Sequence, residues 1–380
     1  MAAYHPHPGS PWVAEAVARV MAFDRAAIPI EPLPAPSGST TWADVLDAMV
    51  MHRVVEVVFP HAKALGMDGD SVAVMYGMRH QLVAAGLKLE LDTNTVSGLL
   101  QDAGIDHLIV KGVALAALMG LAPSGRGAGD VDVWVRAADV QRTEQVLHAK
   151  GWGRQNPTLP QPADGWRWRL MLSVGNELPQ VGAGVSHVDL HWRVTPWTGE
   201  HIPNFDTAYA RSVPVPPLDA SVRTMCPSDA LRHLAQHARK DAWPTLRHVV
   251  DVVRMADVCD PADVAVMTRT EPNIALAITV ASYVTTMEIP GWEADARTRR
   301  LADDAWRGCL GLRNSVAQRN TATGRQAVAV RARYEWWLAR SSPNWTTRWS
   351  WATKLVVPLG ALVQPPVGHR HFVAGTSRAY

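Results

Sequence analysis

Apolar residues recur at helical spacing through residues 11–29 and again through 41–65, so the chain opens with helices. The second run, TTWADVLDAMVMHRVVEVVFPHAKALG, offers Thr40 or Thr41 as an N-cap and Gly66 as a stop. Between the two lies IPIEPLPAPSGS, which reads as a Pro/Ser linker. A third helical run covers roughly 69–103 and ends at Gly104. The period then changes. HLIVK (107–111) is a short β-branched run, followed by Gly112 and the helical VALAALMGL. DVDVWVR (130–136) alternates like a strand with one polar face, and AADVQRTEQVLHAKG reads as a helix closed by Gly151. Beyond a loop rich in Trp, Pro and Gly, WRLMLSV (168–174) and SHVDLHWRV (186–194) both read as strands. From Pro227 the pattern is helical again, in PSDALRHLAQHARK and PTLRHVVDVVRMADV, each with Pro at or near its first turn. No repeat of solenoid period is present. The order predicts an α+β or mixed α/β fold: a mixed sheet flanked by N- and C-terminal helical regions.

One strand carries unexpected chemistry. Side chains two apart on a strand share a face, so Asp130 and Asp132 project together while Val131 and Val133 point the other way. Asp189 sits between Val188 and Leu190, again an acid set into a strand, with His191 on the same face. If these strands are neighbours, three carboxylates converge. Unit charges about 4 Å apart interact by roughly 4 kcal/mol at an effective dielectric near 20, so such a cluster calls for a cation. Oxygen ligands favour Mg2+ or Mn2+ over zinc.

Taken in order, GIDHLIVKGVALAALM, RGAGDVDVWV, HVDLHWRV and CPSDALRHLAQHARKDAWPTLRHVVDVVRM resemble the uncharacterised nucleotidyltransferase-like family of bacteria. That family lies within the DNA polymerase β-type nucleotidyltransferase superfamily. The resemblance runs from about Trp42 to about Met255. It implies that Asp130 and Asp132 hold metal on a nucleoside triphosphate, and that Asp189 completes the site and helps deprotonate an acceptor hydroxyl. The implied reaction is transfer of a nucleoside monophosphate, with pyrophosphate leaving. The superfamily turn after the first strand is commonly Gly-Ser or Gly-Gly, whereas this chain reads Lys111-Gly112-Val113, without a hydroxyl. Lys111, Gly112, Arg126 and Gly129 are therefore the expected nucleotide contacts. The expected organisation is a helical region over 1–98, a nucleotidyltransferase-like α/β core over 99–200, a helical region over 201–295 and a basic Trp-rich region over 296–380. The acceptor is unspecified, and the family implies settings such as peptide or polysaccharide biosynthesis. A second reading is a non-catalytic nucleotide- or peptide-binding adaptor on the same fold, motivated by Val113.

Composition adds two points. With 47% hydrophobic and 19% charged residues, the chain is globular in character. The three cysteines are widely spaced and the first residues lack the basic start and apolar core of a secretory signal, which predicts a cytoplasmic protein. The net charge of +2 hides an asymmetry. From Ala296 onward thirteen arginines and Lys354 face three acids, a net +11, so the preceding residues carry −9. Trp306, Trp336, Trp337, Trp345, Trp349 and Trp351 lie in that basic stretch. It suits RNA or an anionic membrane surface, giving a third reading as a modifying protein peripheral to one of them. The same stretch also fits a helical subdomain with Trp inside and Arg outside. His233 and His237 are four apart, a spacing zinc can use, but no third ligand is evident in the sequence, so a packing or capping role is expected of them. Asp251, set in an apolar helix face, is expected to pair with a histidine or arginine of the neighbouring helix.

Overall fold

The computed structural model describes residues 7–194, 202–285, 287–310, 334 and 336–342. The chain begins with α1 (Ser10–Ala26), α2 (Trp42–His52) and the single turn α3 (Val55–Val58). Thr41 caps α2 in a capping box, its hydroxyl accepting from the Asp44 N–H while the Asp44 carboxylate accepts from the Thr41 N–H. The single helix expected over 41–65 is broken: Arg53 turns left-handed (φ 57°), and its guanidinium donates to the Gly127 carbonyl at 2.7 Å. Next comes α4 (Gly69–Asp102), 34 residues long and so about 51 Å from end to end. Asp68 caps it by accepting from the Ser71 N–H at 2.7 Å.

The sheet follows. Its elements are β1 (His107–Ile109), α5 (Gly112–Leu118), β2 (Asp130–Val135), α6 (Val140–His148), β3 (Gly153–Arg154), α7 (Trp166–Val174), β4 (Glu177–Val181) and β5 (His187–His191). The strand order is β1-β2-β5-β4-β3, with β2 and β5 parallel and the other pairs antiparallel. This is the mixed sheet with flanking helices that the residue pattern predicts.

WRLMLSV is not a strand. Trp168, Met171 and Leu172, spaced i, i+3, i+4, pack into the core beneath the sheet, and this stripe makes the segment helical as α7. Gly165 (φ 58°) opens the helix and Gly175 ends it. Conversely, ELPQV forms β4 although it contains Pro179. The outer neighbour β3 has only two residues, so β4 lies nearly at the sheet edge, where proline is tolerated.

The remaining described elements are α8 (Phe205–Ala210), the two-residue strands β6 (Val213–Pro214) and β7 (Arg223–Thr224), then α9 (Pro227–Asp241), α10 (Leu246–Val258), α11 (Pro261–Thr270), α12 (Pro272–Ala281) and α13 (Ala296–Leu310). Two cores result. One face of the sheet, through Val131, Val133, Val135, Val188 and Leu190, packs with Leu100, Val140, Leu147 and Met171. The other core joins the N-terminal helices to α9–α13 and includes Trp134 from the opposite sheet face. Each fully buried Val or Leu contributes about 1.5–3 kcal/mol relative to exposure.

Of the basic tail, residues 311–333 and 343–380 lie outside the described residues, including Trp345, Trp349, Trp351 and Lys354. The described tryptophans divide. Trp337 is 7% exposed and donates its indole N–H to the Arg239 carbonyl at 2.8 Å, while the Tyr334 hydroxyl donates to the Lys240 carbonyl at 2.8 Å. Trp306 stacks on Tyr283 at 5.3 Å, and Trp336 is exposed. No described helix is long and apolar enough to cross a membrane.

The turn Pro123–Arg126 packs directly on α4. A Cβ on Gly86 would lie 2.7 Å from the Ser124 backbone nitrogen, so only glycine permits this approach. Gly86→Ala is expected to destabilise the protein by about 1–3 kcal/mol in urea unfolding, since backbone must move to admit the methyl.

Candidate active site

The polar face of β2 and β5 gathers the site. Register places Asp132 opposite Asp189 and Asp130 opposite His187, because the strands run parallel. The turn leaving β1 supplies a lysine. Lys111 is extended (φ −145°, ψ −151°) and Gly112 left-handed (φ 59°). A Cβ on Gly112 would stand 3.1 Å from the Asp130 carbonyl oxygen, so this glycine lets the turn lie against the start of β2.

From that turn Lys111 Nζ donates to Asp132 Oδ1 at 2.9 Å, and His191 Nε2 donates to the same oxygen at 3.0 Å. Asp132 is only 2% exposed. Burial alone would raise its pKa, but the charges and hydrogen bonds of Lys111 and His191 hold it well below the usual carboxylate range. Burial likewise works against the Lys111 charge, yet Asp132 and Asp130 raise its pKa. The other His191 nitrogen, Nδ1, faces Glu177 Oε2 on β4 at 3.6 Å, beyond hydrogen-bond distance. Glu177 itself accepts from Asn176 Nδ2 at 3.0 Å. Against its burial, the charges of His191, Lys240 and Lys111 pull Glu177 below its ordinary value.

Asp189 is different. Burial, and then the negative charges of Asp132, Glu177 and Asp130, push its carboxyl well above the ordinary 3.8. Among the described residues no donor is bonded to its carboxylate. Carboxylate oxygens of Asp132 and Asp189 and a His191 nitrogen all lie within 4.8 Å of one another. Four acids thus outnumber the nearby basic groups, Lys111, His191 and Lys240, and Asp189 is the one whose ionisation the surroundings disfavour. This donor set fits a divalent cation. Helix α9 roofs the pocket: His233 is 4% exposed, and burial followed by the Lys111 charge keeps its pKa well below the ordinary histidine value.

The other side of the D-x-D is positive. Arg126, 6% exposed, donates to Asp251 Oδ2 on α10 through Nη2 at 2.9 Å and Nε at 3.0 Å. Arg247 donates to the Gly127 carbonyl at 3.0 Å, the same oxygen that Arg53 reaches, and lies 3.6 Å from Asp251. Burial, then repulsion from Arg126 and Arg53, push Arg247 well below its ordinary value, while Asp251 and Asp130 act in the opposite direction. Three guanidinium groups therefore crowd the turn that leads into Asp130, with Asp251 as the buried counter-ion.

Of the residues singled out from the sequence, Asp130, Asp132, Asp189, Lys111 and Gly112 come together at the strand ends. Arg126 is committed to Asp251 one turn away, and Gly129 stands in open surroundings with nothing near its α-carbon that a side chain would strike. Glu177, Arg53 and Arg247 are additional members. Asp251 pairs with arginine as expected, but the partners are Arg126 in the turn before β2 and Arg247 on its own helix rather than a residue of the neighbouring helix.

A D-x-D on one strand, a third aspartate on its parallel neighbour and a glycine turn before them define the nucleotidyltransferase-type core. Comparison with known families places the chain directly: residues 38–270, more than half of it, match the family described as Uncharacterised nucleotidyltransferase, and the protein belongs to that family. No curated protein and no solved structure matches it.

Because the folded-state pKa of Asp189 is raised, its ionisation opposes folding: the penalty is absent below 3.8 and grows as pH rises through the raised value. Asp189→Asn is therefore expected to melt higher than wild type in chelator at neutral pH. The gap should close as pH falls towards 3.8, and added divalent cation should raise the wild-type melting temperature more than the variant's.

Proposed function

We propose that the protein is a Mg2+- or Mn2+-dependent nucleotidyltransferase that moves a nucleoside monophosphate from a nucleoside triphosphate to an acceptor hydroxyl. The observation that carries this reading is the charge separation across Asp130. Carboxylates crowd at Asp132, Asp189 and Glu177 on one side, where the neighbouring charges oppose ionisation of Asp189, and the guanidinium groups of Arg53, Arg126 and Arg247 crowd on the other around the single Asp251. A metal-chelated triphosphate matches both halves at once.

Asp130, Asp132 and Asp189 would hold the cations, which when bound neutralise charge on the transferred phosphoryl group and on the leaving pyrophosphate. The other contributions belong to the chain. Lys111 and His191 both bind Oδ1 of Asp132, fixing the carboxylate plane and leaving its second oxygen directed away from them. Glu177 places a negative charge behind His191. Asp189, the most basic of the acids, is suited to accept the proton of the acceptor hydroxyl. Arg53 and Arg247, with Lys111, offer cationic contacts to phosphate oxygens, taking the place of the missing hydroxyl at Val113. The roof formed by α9 bounds the acceptor side, and the basic C-terminal stretch is where an anionic acceptor such as RNA, or a membrane surface, would be met. The cell interior is the compartment this chemistry suits.

One observation favours the adaptor reading: the Lys111 ammonium already sits 2.9 Å from Asp132, the position at which a cation is wanted. The two readings separate by calorimetry with the four ribonucleoside triphosphates. Metal-dependent binding that disappears in Asp130→Asn/Asp189→Asn supports the enzyme, whereas tight binding in chelator that survives those substitutions supports the adaptor. In an assay that follows label from the α-phosphate into acceptor, each single Asp→Asn variant at Asp130 or Asp189 is expected to lose more than about 100-fold in rate, several kcal/mol of transition-state stabilisation.

A further inference from the structure

Beyond the carboxylate site, a second cluster of ligand atoms lies where α9 hands over to α10. His237 and Asp241 are one turn apart at the end of α9, and His248 lies in the first turn of α10. His237 Nε2 is 3.5 Å from Asp241 Oδ2, and His248 Nε2 is 4.0 Å from the same oxygen. All three ligand atoms fall within 4.8 Å of one another. We propose that His237 Nε2, the Asp241 carboxylate and His248 Nε2 form a binding site for a zinc-class transition-metal cation, separate from the oxygen-rich site on the sheet.

The spacing is the first argument. The gaps of 3.5 and 4.0 Å exceed good hydrogen bonds, for which N–H···O runs about 2.7–3.2 Å. Two metal bonds of about 2.0–2.1 Å at a tetrahedral angle separate their donor atoms by roughly 3.4 Å, so small rotamer adjustments would close the shell. Orientation is the second. Thr245 Oγ1 is 2.9 Å from His248 Nδ1, so the hydroxyl can accept from Nδ1–H and leave the Nε2 lone pair facing Asp241. A histidine whose far nitrogen is held in this way is the usual setting of a metal ligand.

The backbone supplies the third argument. Ala242 (φ 61°) and Trp243 (φ 53°) are both left-handed, an uncommon conformation for two consecutive residues with side chains, and they bring the end of α9 back against the start of α10. Trp243 is fully buried and anchors that corner. Access is the fourth: the three side chains are 17–21% exposed, open enough for exchange with solvent and for a water in the remaining coordination positions. Two imidazoles and one carboxylate prefer zinc over magnesium, the reverse of Asp130, Asp132 and Asp189. His237 also stacks edge-on to His233 at 6.1 Å, so the two sites are linked through the roof helix.

The test uses the full-length, tag-free chain, stripped with chelator and equilibrated with micromolar zinc in excess magnesium, which fills the oxygen-rich site first. Metal is then counted after desalting. Wild type and Asp189→Asn are expected to retain about one zinc per chain. His237→Ala, His248→Ala and the milder His248→Gln should bind it more than about 100-fold more weakly while keeping the wild-type circular dichroism. Wild type loaded with cobalt in the same excess of magnesium should show the visible bands of a nitrogen-ligated ion, a readout that needs no variant. No zinc on wild type, zinc that persists in His248→Gln, loss in Asp189→Asn instead, or an aqua-type cobalt spectrum would each overturn the assignment.

Discussion

The buried carboxylate of Asp132 is the constraint around which the sheet is arranged. A charge this deep is tolerated only when it is paired and hydrogen-bonded, and here the partners come from two different strand systems, Lys111 at the end of β1 and His191 on β5. That requirement ties β1, β2 and β5 together at one end of the sheet. It also explains why Glu177 stands behind His191, since a histidine donating into a carboxylate is stabilised by a second acid on its far side. Gly112 belongs to the same arrangement, because any side chain there would push the lysine turn away from β2.

Charge on this surface is not balanced locally. Negative charge exceeds positive at Asp189, and positive exceeds negative at Arg247, across the few residues between Gly127 and Asp130. Proteins do not usually leave both deficits adjacent without making a direct ion pair between them. The arginines are instead turned to the Gly127 carbonyl and to Asp251, which keeps the two fields apart. On the proposed function, this arrangement would suit a ligand that carries both a cation and an anion, and its electrostatics would strengthen as water leaves.

Much of this was legible in the sequence, for local reasons. Thr41 announces a helix start through a side chain that bonds the backbone three residues on. Alternation over 130–136 fixes which face carries acids, and the apolar runs fix β5. What the sequence hid depends on tertiary context. The apolar residues of WRLMLSV alternate well enough to read as a strand, and only the core beneath the sheet, which takes Trp168, Met171 and Leu172, makes it helical. Glu177 escaped notice because its strand contains a proline and borrows its regularity from β5. Arg247 and Asp251, four apart on one helix, are paired by spacing, but Arg53 and Arg126 lie far from them in the chain, and nothing in periodicity says that all four meet. The partner of the His237 helix position was likewise invisible, since His248 is brought back by a corner formed from alanine and tryptophan rather than glycine.

The last turn of α9 has a consequence for how the molecule is made. Its Arg239 carbonyl, which also accepts from the Ala242 N–H, and its Lys240 carbonyl accept from Trp337 and Tyr334, 98 and 94 residues later. During synthesis the sheet and its acids can therefore be complete while the end of the helix above them still faces solvent. The acidic face of the sheet would emerge well before the helix above it is latched, so a nascent chain would hold that face uncovered for several seconds at about 5–20 residues per second.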